Sequence, residues 1–194
     1  MEYIITKANE NDKLHIARTI AYSFEKDLSK LTKDAERIAN AFESGIDTSR
    51  FFVARQENKM VGIIACSDCT GRAVYVNKKD CKKHLGLIRG FLGYRIFADE
   101  FMYPLTYPAT TGWIEFVGVV EEARGQGIAK AMLKKIIEHS TQYNEFILDV
   151  TDINAPAMKI YENSGFVEFD RKPVKFPKQM GFNAKVYMKY IRES

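Results

Sequence analysis

The stretch "ARGQGIAKAML", Ala123 to Leu133, sets an arginine and two glycines directly before a run with the spacing of an amphipathic helix. Glycine is a poor helix former, about 1 kcal/mol worse than alanine. Gly125 and Gly127 must therefore serve a sharp turn or a ligand that needs bare backbone. A helix N-terminus carries unpaired N–H groups and about half a positive charge, so it receives phosphate readily. Glycines there let a pyrophosphate approach the backbone, and Arg124 adds a charged fork.

Three phosphate-binding loops compete for this stretch. A P-loop needs G-K-[ST] at the helix start, and "GQGIAK" does not supply it. A dinucleotide fingerprint needs its third glycine or alanine where this chain has Lys130. A loop for the pyrophosphate of coenzyme A wants R-G-x-G-[IL]-[GA] after a central strand, and "RGQGIA" fits every position. A plain glycine-rich turn between strand and helix stays open beside it.

Other clusters read more blandly. Cys66, Cys69, Cys81 and His84 have the outline of a zinc site. Cys66, however, closes the apolar run "MVGIIAC", where a small buried thiol is ordinary, and no metal is expected. Lys78, Lys79, Lys82 and Lys83 form a basic cluster that suits a solvated helix face better than an RNA site. His15, His84 and His139 have no partner motif, and no G-x-S-x-G or H-E-x-x-H signals hydrolysis.

The elements that would position the loop alternate. "EYIITKA" reads as a strand, and "DKLHIARTIAYSF" places Leu14, Ala17, Ala21 and Phe24 on one helical face. "TKDAERIANAF" is a second helix, and "RFFVARQENKMVGIIACS" two strands around the polar turn Gln56 to Lys59. Trp113 to Val120 is the strongest strand, nearly all apolar and expected to be buried on both faces. The loop's helix follows, then the strand "EFILDV", a short helix in "NAPAMKIYENSG", and the strands "FVEFDRKPV" and "AKVYMKYI". This order predicts an α/β (α+β) mixed sheet with helices on both faces, as a single domain over residues 1–194.

Composition sets the outer bounds. With 194 residues, 46% of them hydrophobic, the chain can bury a real core, and a net charge of +4 falls short of a nucleic-acid footprint. The start lacks the basic and apolar regions of a signal peptide. No run approaches the ~18 apolar residues of a membrane span. The expectation is a cytoplasmic protein with neither nucleic-acid nor membrane partners.

Two motifs together resemble the GNAT superfamily of acetyl-CoA-dependent N-acetyltransferases. "FVGVVEEARGQGIAKAML" is similar to the family's acetyl-CoA loop, and "NAPAMKIYENSGF" to its N-x-x-A-x-x-x-Y-x-x-x-G-F, through Asn154, Ala157, Tyr161, Gly165 and Phe166. Glu122 departs from the longer loop pattern, which often has Gln or Arg. The resemblance implies that the strands "WIEFVGVV" and "EFILDV" splay apart to admit the pantetheine arm of acetyl-CoA. Val117 and Val119 would pair with the arm, and Gly118 would mark a bulge or close approach. Arg124, Gly125, Gln126, Gly127, Ile128 and Ala129 would cradle the pyrophosphate. Asn154 would reach the cofactor or cap its helix. An amine would attack the thioester directly in a ternary complex, with Tyr161 as general acid. Glu115, assigned to one row with Trp113, Val117 and Val119, is the candidate base, with a structural ion pair as its rival. A cofactor-binding module without turnover is the alternative. The acceptor is an amine, a small molecule ahead of a protein.

The segment Asn77 to Thr111 departs from a minimal chain of that family, whose members join these strands by a short turn. Leu85, Ile88, Leu92, Ile96 and Phe97 have roughly helical spacing, predicting one or two helices broken near Gly90 to Gly93. Phe91, Tyr94, Phe101, Tyr103 and Tyr107 are expected to wall the acceptor pocket, or else to form a homodimer interface.

Overall fold

The computed structural model describes residues 2–23, 32 and 34–192. Seven strands form one sheet: β1 (Ile4–Lys7), β2 (Phe51–Gln56), β3 (Lys59–Ser67), β4 (Thr111–Val119), β5 (Glu145–Thr151), β6 (Val167–Pro173) and β7 (Ala184–Ile191). Their spatial order is β1-β2-β3-β4-β5-β7-β6. Every neighbouring pair is antiparallel except β4 and β5. The β2–β3 hairpin closes through Glu57 and Asn58, both at positive φ (47° and 65°), the left-handed pair that matches the twist of a two-residue turn.

Period-two alternation sorts the strands onto two cores. Phe51, Val53, Ile63 and Ala65 belong to one hydrophobic cluster, and their neighbours Phe52, Ala54, Ile64 and Cys66 to the other. The first face is covered by α1 (Lys13–Ser23), α2 (Ala35–Phe42), α3 (Lys78–Leu85) and α4 (Leu87–Phe101). The second is covered by α5 (Ile128–His139), with α6 (Ala155–Glu162) beside it. A single turn, α7 (Pro177–Met180), precedes β7. Phe24, expected on the inner face of α1, lies outside the described residues. No helix among the described residues is long and apolar enough to cross a membrane.

The helices of residues 77–111 differ from expectation in two ways. The break falls at Gly86 (φ 88°), whereas Gly90 and Gly93 lie inside α4. A Cβ on Gly90 would stand 2.4 Å from the Cys81 carbonyl oxygen and 2.6 Å from the Lys82 Cα. Gly90 therefore serves the close crossing of α3 and α4. In addition, the buried face of α4 is Gly90, Gly93 and Phe97, while Ile88 (86% exposed), Leu92 (54%) and Ile96 face outward. Edge-on aromatic contacts fix the buried face, with Phe97 at 4.7 Å and Phe101 at 5.8 Å from Phe42. Phe101 continues onto Phe116 of β4 at 5.3 Å.

Candidate functional site

Strands β4 and β5 pair only at their starts: Thr111 with Glu145, Gly112 with Phe146 and Trp113 with Ile147. Beyond that point they part, and a gap opens in the middle of the sheet. On its other side β4 stays paired with β3, but the register slips: Ile63 lies opposite Gly118, while Ala65 lies opposite Glu115. The extra residue sits at Phe116–Val117, and Phe116 adopts φ 55°, a conformation bulky side chains rarely take.

This bulge corrects two expectations. It lies at Phe116 rather than at the mid-strand Gly118. It also reverses the alternation, so Glu115 does not share a row with Val117 and Val119. Phe116 packs in the first core, whereas Ile114, Val117 and Val119 belong with the second. Nor is β4 buried on both faces. Trp113, Val117 and Val119 are only half-buried, because the sheet is open beside them.

The Val120 N–H donates to the Val61 carbonyl at 2.9 Å, so Gly118 also turns its polar groups toward β3. Val117 and Val119 then turn theirs toward the gap. The Val119 carbonyl accepts from Arg124 Nε at 3.1 Å, which folds the guanidinium back to the gap's mouth.

At that mouth α5 begins. Gly127 is its N-cap, left-handed at φ 78°, and no side chain caps the helix. Gly125 has φ 76°, and a Cβ on either glycine would meet nothing within 4 Å. The glycines thus satisfy backbone direction rather than crowding, and the first N–H groups of α5 face open space. Ile128, 1% exposed, plugs the helix start into the second core, and Ala129 is half-buried. Gln126 is held by Gln56 Nε2, which donates to its Oε1 at 2.8 Å. A depression of about 580 Å³ adjoins Gly127, bordered by Lys130 and Lys134 on α5 and by Asn163 and Ser164 beyond α6.

Asn154 caps α6, its Oδ1 accepting from the Ala157 N–H at 3.2 Å. On that helix Tyr161 is 7% exposed, its ring 6.2 Å from Phe166. Burial first, and the Asp149 carboxylate second, hold its phenol well above the usual tyrosine range, so it keeps its proton at neutral pH.

Glu115 lies on the first face, in a network. Its Oε2 accepts from Arg72 Nη2 at 2.6 Å, and its Oε1 accepts from the Ala73 N–H at 3.2 Å and from the Ser67 hydroxyl. Both side chains of the ion pair are 10% exposed. Arg72 Nη1 reaches on to the Tyr103 carbonyl at 2.9 Å, tying the end of the 77–111 segment to β4.

A sequence model of the Acetyltransferase (GNAT) family matches residues 17–166. The chain belongs to the GNAT family. Solved GNAT-type structures share its fold: an N-acetyltransferase from Staphylococcus aureus Mu50 superposes with a TM-score of 0.64 at 19% identity, covering 96% of this chain and 99% of that one. The ribosomal-protein-S18-alanine N-acetyltransferase from Escherichia coli gives 0.58 at 15% identity, over 100% and 96%. Among curated proteins, human N-acetyltransferase 8B is 38% identical over 52 residues. That stretch is 26% of this chain and only 23% of the human protein's length.

Residues 77–111 pack on the first face. Of the aromatics expected to wall an acceptor pocket, Phe91 is on the outward side of α4 beneath Lys78, and Tyr103 is largely exposed. Tyr94 and Phe101 pack against the first core. Tyr107 stacks on Trp113 at 5.4 Å, and Trp113 meets Tyr187 of β7 edge-on at 6.1 Å. Next to these rings Lys185 Nζ stands 2.8 Å from Glu100 Oε1 and 3.3 Å from Asp149 Oδ2. Sequence reasoning missed Glu100, Asp149 and Lys185, because each is an unremarked charge in its own segment. Cys66 and Cys81 lie in different cores on opposite sides of the sheet, too far apart in the fold to share a metal.

Proposed function

We propose that this GNAT protein transfers the acetyl group of acetyl-CoA to a primary amine, by direct attack in a ternary complex, and that residues 1–194 act as one such domain. The observation that carries the reading is the gap between β4 and β5, where the two strands no longer pair with each other, opening at a helix N-terminus that no side chain caps. A gap of this kind accepts an extended, amide-bearing arm as a false strand, and the helix start accepts its phosphates. Acetyl-CoA supplies the activated thioester when bound.

The N–H and C=O groups of Val117 and Val119 hold the arm, and a β4 N–H polarises the thioester carbonyl, a donor worth ~10²–10³ in rate. Gly118 keeps β4 bonded to β3 while the bulge at Phe116 turns the strand. Arg124 swings from the Val119 carbonyl to the pyrophosphate, which the N–H groups of Gly125, Gln126, Gly127, Ile128 and Ala129 surround. Lys130 adds positive charge along the same helix, whereas Lys134 pairs with Glu138 at 3.7 Å. Asn154, already a cap, presents its amide to the arm's side of α6. Tyr161 keeps its proton until the C–S bond breaks and gives it to the departing sulfur, while the attacking nitrogen sheds its proton to solvent water and Tyr161 is reprotonated from the same source. Glu115 we assign to architecture: both its oxygens accept from Arg72, Ala73 and Ser67, and taking a proton would break the pair that anchors residues 72–103 to β4.

The test is ligand-induced stabilisation followed by turnover. Acetyl-CoA at a hundred times its dissociation constant should stabilise the fold by ~2.7 kcal/mol. At this chain length each kcal/mol raises the melting temperature by roughly 2–4 °C. No shift at millimolar acetyl-CoA ends the proposal. A shift without thiol release across a broad amine panel leaves binding and removes catalysis.

A further inference from the structure

The first face of the sheet carries an organised set of charges and rings that the transfer chemistry does not use. Asp149 of β5 and Tyr187 of β7 are direct cross-strand partners, so their side chains share this face just beyond the point where β4 and β5 part. Lys185, two residues along β7, bridges Asp149 at 3.3 Å and Glu100 at 2.8 Å, the latter from the last turn of α4. Burial alone would lower the Lys185 pKa, but the two carboxylates together raise it above the usual lysine range. Tyr107, Trp113 and Tyr187 stand beside this bridge as a continuous aromatic wall.

Charge counting gives the site a sign. The ring of Glu100, Lys185 and Asp149 holds two carboxylates and one ammonium. Of the cations near it, Arg72 pairs with Glu115 at 2.6 Å and Arg171 with Glu168 at 2.8 Å, Lys172 Nζ lies 3.6 Å from Asp170 and 4.7 Å from the centre of the Tyr187 ring, and Lys189 Nζ lies 5.5 Å from the centre of the Phe169 ring. Within the ring of three one negative charge is left over, and the Glu100 side chain is 56% exposed, open to a ligand.

We propose that Glu100, Asp149 and Lys185 form a subsite for the acceptor's ammonium group, with Tyr107, Trp113 and Tyr187 packing its carbon skeleton, and that the subsite selects amines with no carboxylate beside the nitrogen. The proposal rests on the N-acetyltransferase reading and adds the substrate class. A cationic amine gains the excess carboxylate and the ring faces together. A zwitterionic amino acid brings its own carboxylate against Glu100 and Asp149, an arrangement that rejects by repulsion.

Matched pairs differing only in that carboxylate test it: phenethylamine against phenylalanine, and tyramine against tyrosine, with thiol release from acetyl-CoA as readout. The expected result is a kcat/KM at least about tenfold higher for the decarboxylated member of each pair, the scale of one charge-assisted hydrogen bond. Glu100→Gln, on an exposed helix end, should raise the amine KM about tenfold while the KM for acetyl-CoA holds. Glu100→Lys should narrow or reverse the preference. Amino acids turned over as well as their amines, or an unchanged amine KM in Glu100→Gln, would overturn the subsite and leave N-acetylation standing. No thiol release with any of the four acceptors, alongside an intact acetyl-CoA melting shift, would overturn the transferase reading and the subsite with it.

Discussion

The two faces of the gap are built from different materials. On the side of α5, the proposed donor surface is backbone: the N–H groups after Gly125 and Gly127, and the turned-out edges of Val117 and Val119. On the side of α4, the proposed acceptor surface is side chains: Glu100, Asp149, Lys185, Tyr107, Trp113 and Tyr187, drawn from three strands and from residues 77–111. On the proposed reading, backbone recognises what every donor shares, an amide arm and phosphates. Side chains can be exchanged singly, so they suit the part of the reaction that varies between enzymes of one fold.

The sharpest way to break this contrast is at the helix start. Gly127→Val should abolish the acetyl-CoA melting shift and all turnover, because a β-branched residue resists the left-handed cap that aims the N–H groups. With nothing within 4 Å of the added Cβ, the fold itself should lose only the ~1–2 kcal/mol of the disfavoured conformation. A retained shift would mean that the donor site is not made of backbone.

Glu115 is the next test, since it sits where the two materials meet. Glu115→Gln should lower stability by about 3–5 kcal/mol, the penalty for stranding one member of a buried pair, here Arg72. Urea unfolding measures it. A variant as stable as the parent yet without turnover would return Glu115 to the role of base. Tyr161→Phe should leave acetyl-CoA binding and stability near those of the parent and lower kcat by ~10²-fold, the lower end for general acid catalysis. Full activity in single-turnover measurements would make Tyr161 a packing residue beside Phe166. The smallest effect belongs to the aromatic wall. Tyr107→Ala should raise the acceptor KM several-fold, about 1 kcal/mol for one lost ring contact, without moving the KM for acetyl-CoA. An equal change in both would tie Tyr107 to the donor side.

The same division explains what could be read from the chain. The α5 loop was legible because its chemistry is contiguous: six residues, "RGQGIA", fix the turn, the helix start and the exposed N–H groups. The mixed sheet was legible from alternating strand and helix periods. The phase of β4 was not, since counting by twos assumes a regular strand, and the bulge at Phe116 carries no compositional mark. The inner face of α4 was misread for a related reason. Hydrophobic periodicity follows large apolar residues, so it points to Ile88, Leu92 and Ile96, whereas close helix contact is made by Gly90 and Gly93, which add nothing to such a pattern. Glu100, Asp149 and Lys185 meet only through the fold, and no spacing in the chain links them.

One consequence of the gap concerns kinetic order. α5 and its loop lie on the second face of the sheet, and the charged and aromatic cluster lies on the first, so on the proposed reading the two substrates reach the reaction point from opposite sides. Neither stands in the other's path, and neither product must leave before the other. Addition should therefore be random rather than compulsory, with free coenzyme A competing against acetyl-CoA and acting as a mixed inhibitor toward the amine. Separating the two routes also lets the acceptor wall change without disturbing the order in which the enzyme loads.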